Sequence, residues 1–344
     1  MYVLVSVSTE AFDRVMTMRA VYRRMGIDTS AARDAPEYLR SVRQSLGGRL
    51  VLIDWDAAEV IADKPLVGAS GLATTGRTVV ACSWIEQCVY LLGADASTAT
   101  ITHPWLNYIH SVDVTHRGTL LVASSGTDLI VELDPAGEVK WEWIGPEHGY
   151  DTAPDGKCVS IDRQIDHRPL RKRTSDQAMH ITAAVLASPE SVLATLFHQG
   201  TLVSIDRETR RARNLLAGLV HPHGIHKFER GFILSDTLGH RILVLDEQLK
   251  ISQEIRWGSE WLQDAIGLRS GGYLTLENVH IDQLPQRALT NRITQLDRNG
   301  RRVCGVDVGP ESRLFTVREL DAGLASQLAD AWGRTRDFAS WHWT

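Results

Sequence analysis

Histidine and carboxylate side chains recur at matched points of this sequence. His110 lies eight residues before Gly118, His223 eight before Gly231, Asp264 eight before Gly272, and Gly68 eight before Gly76. The segment HITAAVLASPE is one residue longer and offers His180 at the same place. With 13 histidines in 344 residues, three at aligned positions exceed what chance placement gives. Neutral imidazole is the commonest protein ligand for transition metals. Three histidines from separate elements, with a fourth position open, make the usual catalytic zinc site. The same set with a carboxylate also suits iron or manganese, and imidazole suits copper. His110, His180 and His223 are therefore the expected ligands of a divalent metal, zinc before iron, manganese or copper. Asp264 is the expected fourth ligand or nearby base. Gly68, lacking a side chain, would leave room for a substrate on the opposite wall. The other reading of the same residues is a hydrogen-bonded polar pocket without metal.

Further acid–base candidates lie in the loops that follow each second strand. His198, Glu277 and His280 could each act as acid, base or substrate ligand. Asp236 and His240 sit in a repeated turn and read as structural. His221 and His226 read as rim or structural residues. Arg318 and Glu319 are the candidates for a further axial position near the C-terminus.

These residues are positioned by a repeat. IHSVDVTHRGTLLVASSGTDLIVELDPAGEVKWEW reads as four strands separated by the turns HRG, SGTD and DPAG. Glycine and Asp-Pro supply the backbone angles such turns need. The pattern returns from His223, Asp264, Gly68 and, more loosely, His180, giving five units of roughly 40 residues, the period of propeller blades. MYVLVSVS, GRLVLIDWDAAEVIADKPL and SRLFTVREL supply a sixth blade built from both ends of the chain. Closure of this kind removes exposed sheet edges. The expected fold is all-β, one six-bladed β-propeller domain over residues 1–344. Three insertions, 9–47, 145–177 and 277–292, should crowd one face as a lid or rim. The first has helix-like apolar spacing.

Composition excludes several classes. A formal net charge of −5 without a basic block argues against nucleic-acid binding. No apolar run approaches a membrane span. The N-terminal residues lack the pattern of a secretory signal. Four cysteines without CxxC spacing suggest neither a disulfide framework nor a zinc ribbon, and read as apolar fillers. A cytoplasmic protein with a small-molecule substrate is expected.

SDTLGHRILVLD, preceded by HPHGI, resembles the NHL-repeat pattern, and the blade ending in WEW resembles the arylsulfotransferase-like propellers. The three histidines on separate inner strands are similar to the zinc-holding set of the peptidylglycine amidating lyase family, onto which only His110, His180 and His223 carry over. These resemblances imply a propeller metalloenzyme. The expected activity is that of a metal-dependent lyase or hydrolase on a small molecule of secondary metabolism. An iron-dependent oxygenase on the same histidines is the first alternative. A non-metal enzyme resembling strictosidine synthases or sulfotransferases, or a protein-binding scaffold, is the second.

Overall fold

The structure, a computed structural model, describes residues 1–12, 45–170, 172–279 and 290–344. Six sheets surround one axis. The first combines the ends of the chain: β1 (Tyr2–Thr9), β2 (Arg49–Asp54) and β3 (Glu59–Pro65), with β24 (Arg313–Leu320) as the inner strand. Pairing runs from Tyr2 opposite Leu320 to Thr9 opposite Arg313, so the closing blade is as the sequence implied. The next blades follow in order: β4 (Ala69–Thr75) to β7 (Thr98–Ile101), β8 (Ile109–Val114) to β11 (Val139–Ile144), and β12 (Ile181–Ser188) to β15 (Ala212–Leu216). β16 (Ile225–Phe228) to β19 (Ile251–Arg256) and β20 (Trp261–Gly267) to β23 (Arg302–Val308) complete the ring.

Local chemistry explains why these segments make blades. In three blades the turn between third and fourth strands opens with an aspartate whose carboxylate accepts two backbone N–H groups. Asp134 takes those of Ala136 and Glu138, Asp246 those of Gln248 and Lys250, and Asp297 those of Asn299 and Arg301. Such Asx turns satisfy groups that a hairpin otherwise leaves unpaired. Apolar clusters then bury the faces between neighbouring blades, as with Leu121, Trp143, Met179 and Ile205 between the third and fourth. The WEW stretch is the latch there: Trp141 Nε1 donates to Arg207 O at 2.8 Å and Trp143 Nε1 to Arg210 O at 3.0 Å.

Two C-terminal elements were not anticipated. α1 (Ala322–Trp332), capped by Asp321, buries Leu324, Ala325 and Leu328 against the closing blade. β25 (His342–Trp343) adds a fifth strand to the last blade.

Of the expected insertions, residues 13–44 and 280–289 lie outside the described residues, and with them His280. The segment 145–177 is irregular chain with two short 3-10 turns, Gly145–His148 and Thr174–Asp176. It is fastened where the inner strands begin: Asn107 Nδ2 donates to His167 O at 2.6 Å and to Leu170 O at 2.9 Å. Among the described residues no helix is long and apolar enough to cross a membrane.

Candidate functional site

Every inner strand begins with a β-bulge, and the bulge decides which side chain enters the axis. In β8, Ile109 pairs with Ser124 and Ser111 with Ala123, so His110 is the extra residue. The same count gives Thr182 in β12, Gln263 in β20 and Phe315 in β24. It gives Ser70 in β4. Ahead of β16, the N–H of His223 and the C=O of Gly224 both engage Ser235, which makes His223 the equivalent. The innermost tier is therefore Ser70, His110, Thr182, His223, Gln263 and Phe315. Alignment on hairpin glycines had put Gly68, His180 and Asp264 in this tier beside His110 and His223. Only the last two are there.

His180 sits two residues earlier, at the level of Tyr108 and His221, and all three take positive φ. It still reaches the same centre. The His110 ring lies 5.3 Å from the His180 ring and 5.6 Å from that of His223, centroid to centroid. Phe315 packs 4.7 Å from His110, and Phe197 stands edge-on to both His180 and His223. Gly68 opens no wall. Its φ is +65°, and a Cβ there would fall 2.7 Å from Ile85 Cγ1, so close backbone packing requires the glycine.

The hydrogen bonds fix the tautomers. His180 Nδ1 lies 2.6 Å from Gln177 Oε1, an acceptor, so Nδ1 carries the proton. His223 Nδ1 lies 3.0 Å from His221 O and 2.8 Å from Thr237 Oγ1, whose own proton goes to Leu262 O. Nδ1 is again the donor. Beside His110 the Thr182 backbone favours the protonated ring. Each ring is left with one lone-pair nitrogen. All three rings are held neutral. Burial pushes His110 down to about 4, against smaller opposing effects of Thr182 and the Asp264 charge. Burial also takes His180 well below the usual imidazole range, helped by the neighbouring histidines, and does the same to His223. A void of about 20 Å³ adjoins His110, Thr182, His223 and Gln263, room for one water.

Asp264 occupies the next tier down. Its carboxylate meets His226 Nε2 at 2.6 Å, the Val317 N–H at 3.1 Å and Arg318 Nη1 at 3.9 Å. Burial alone would raise its pKa, but His226 and Arg318 outweigh that and hold it below the usual carboxylate range. Asp264 is thus spent on His226 and Arg318, not on the three histidines. His226, read from the sequence as a rim or structural residue, is its largely buried partner. His198 stays beside His180 with ring centroids 6.0 Å apart, and its Nε2 donates to Thr174 O of the 145–177 segment. Glu277 accepts from Thr275 and Thr294, at 3.1 and 2.7 Å, both on its own blade. Glu319 accepts the Arg269 N–H at 2.8 Å.

Metal binding can be judged on this geometry. Three neutral imidazoles, two of them steadied through Nδ1, have the chemistry of metal ligands. Their placement does not complete a site: among the described residues no group of three or more His, Cys, Asp or Glu side chains is arranged to hold a metal ion.

No family model matches this sequence, and no curated protein is similar to it. Solved structures do share its shape. A chain in a nidogen–laminin complex superposes with a TM-score of 0.56 at 11% identity, over 92% of this chain and 97% of that one. A Bacteroides caccae protein of unknown function gives 0.54 at 14% identity, over 79% and 95%. A streptogramin B lyase gives 0.52 at 8% identity, over 78% and 86%. At such identities the likeness concerns architecture, and with the six sheets it establishes that this chain is a six-bladed β-propeller.

Proposed function

We propose that this chain is an enzyme, a lyase or hydrolase that acts on a small molecule at His110, His180 and His223. The observation that supports this reading is the convergence of three buried, neutral imidazoles, two of them, His180 and His223, with Nδ1 tied to the protein and Nε2 left as an acceptor. Such a nitrogen can take a proton from a substrate carbon in an elimination, or from water in a hydrolysis. Holding these rings out of water costs stability, and strongly perturbed groups of this kind concentrate at functional sites. One solved propeller of this shape is named a lyase, in keeping with such chemistry on the fold.

A second reading adds a divalent ion, zinc before iron, manganese or copper. It is favoured by Gln177 and Thr237, which orient the His180 and His223 rings as outer partners orient metal-bound histidines. Such an ion would lower the pKa of a bound water to about 7. Elemental analysis of purified protein, beside the triple variant His110→Ala, His180→Ala, His223→Ala, separates the two readings. About one equivalent of metal, absent from the variant, selects the second. Its absence even after anaerobic reconstitution with each ion selects the first. Turnover of small molecules, with the triple variant as control, tests the enzyme reading itself.

A further inference from the structure

The opposite end of the axis holds a cavity of about 530 Å³, bordered by the closing ends of the inner strands. This is within the range of small-molecule sites. His226 and Arg318, the same pair that contacts Asp264, line it. Both belong to the tier after Asp264, which also contains Ala73, Asp113, Val185 and Ile266.

His226 donates its Nε2 proton to Asp264 Oδ1 at 2.6 Å, which fixes the tautomer and leaves Nδ1 as an acceptor. Arg318 has five N–H donors. Its described contacts all run through Nη1: Val317 O at 2.7 Å, His226 Nε2 at 3.5 Å and Asp264 Oδ2 at 3.9 Å. Nε and Nη2 keep a planar fork that matches a carboxylate. Arg318 and His226 approach to 3.5 Å through Nη1 and Nε2, so the two side chains stand together at the cavity, one bearing the fork and the other the Nδ1 acceptor. Ala73, Val185, Ile266 and Phe228 offer apolar wall nearby. Lys227, Arg269 and Arg298 also line the cavity, against Asp113, Glu229 and Glu319, so with Arg318 cations outnumber acids.

We propose that this cavity is a second binding site, for a small α-hydroxycarboxylate with an apolar substituent. Arg318 holds its carboxylate and His226 accepts the hydrogen bond of its hydroxyl. The proposal does not depend on the reaction assigned to His110, His180 and His223.

Calorimetric titration of the full chain with mandelate, phenylacetate and inorganic phosphate tests it. Mandelate should bind saturably, and phenylacetate, lacking the hydroxyl, at least about tenfold more weakly. Arg318→Gln should weaken mandelate at least about tenfold. His226→Gln should reduce the preference for mandelate over phenylacetate to less than about threefold. If Arg318→Gln fails to fold, the wild-type preference for mandelate over phenylacetate decides alone. No saturable mandelate binding at about 10 mM, equal affinity for mandelate and phenylacetate, tighter binding of phosphate than of mandelate, or unchanged binding in a folded Arg318→Gln variant would each overturn the proposal.

Discussion

Gly224 lies directly against the buried pair of Asp264 and His226. A Cβ at position 224 would fall 2.1 Å from Asp264 Oδ1 and 3.1 Å from His226 Nε2. Ordinary contact distances are about 3.5 Å, so the carboxylate would have to move by more than an ångström. It is not free to do so, being tied to the Val317 N–H and to His226. Overpacking alone costs about 1–3 kcal/mol. Displacing the carboxylate also weakens its charge-assisted hydrogen bonds to His226 and the Val317 N–H, each worth about 1.5–3 kcal/mol. Gly224→Ala should therefore lower the unfolding free energy by about 3–5 kcal/mol. Gly258→Ala is the control: nothing lies within 4 Å of its Cβ position, so it should stay within about 0.5 kcal/mol of wild type. Urea unfolding followed by tryptophan fluorescence gives both values. In an Asp264→Ala background the clash has no target, and Gly224→Ala should cost less than about 1 kcal/mol. An equal cost in both backgrounds, or a loss below about 1 kcal/mol in the wild-type chain, would refute the reasoning.

Two further predictions concern the histidine tier. Burial holds His110 at about 4, whereas an unfolded histidine titrates near ~6.5. In metal-free protein the unfolded chain therefore binds the extra proton first. The stability associated with the neutral ring is complete above pH ~6.5 and is lost as pH falls toward the folded value. His110→Gln should flatten the decline in unfolding free energy between pH ~8 and ~5 by about 2 kcal/mol, and parallel curves would contradict this. Asp128, raised by burial to about 6, acts with the opposite sign, so the readout is the difference from the variant. The Asp128 carboxylate also accepts the N–H groups of Ala178, Met179 and His180 at 2.6, 3.0 and 2.9 Å. Asp128→Ala should cost about 3 kcal/mol or more by leaving these buried donors unpaired, and denaturant unfolding that shows a loss under about 1 kcal/mol, the size of an ordinary surface change, would contradict it.

The architecture was legible because turns and strands repeat. DPAGE, DEQLK and DRNGR each announce an Asx turn, and the two halves of the closing blade read as strands on their own. The tier of the axial residues was not legible by counting back from hairpin glycines. That count assumes hairpins of equal length. In the last blade the structural counterpart of Gly118 is Gly271, not Gly272: each donates its N–H to the residue three before it, Thr115 and Leu268. Eight residues before Gly271 stands Gln263. A local signal did exist. Ile109-His110-Ser111, Ile181-Thr182-Ala183, Pro222-His223-Gly224, Leu262-Gln263-Asp264, Leu314-Phe315-Thr316 and Ala69-Ser70-Gly71 share an apolar residue, the axial residue and a polar or small residue. The bulge produces this order, because the first member packs between blades and the third turns back along the axis. Gln177 and Thr237, which set the tautomers of His180 and His223, lie in connecting segments whose path no periodicity encodes. His226 was passed over because its partner, Asp264, comes from the neighbouring blade.

The central claim is that chemistry occurs at His110, His180 and His223. Its most direct test is a mass-spectrometric survey of a complex small-molecule extract incubated with wild-type chain and with His110→Gln, His180→Gln, His223→Gln. The account predicts compounds consumed by the wild-type chain and untouched by the variant, with products that are fragments or isomers for a lyase and carry one added water for a hydrolase. Consumption of the same compounds by a folded triple variant, or none by wild-type protein supplied with each candidate metal, would contradict it.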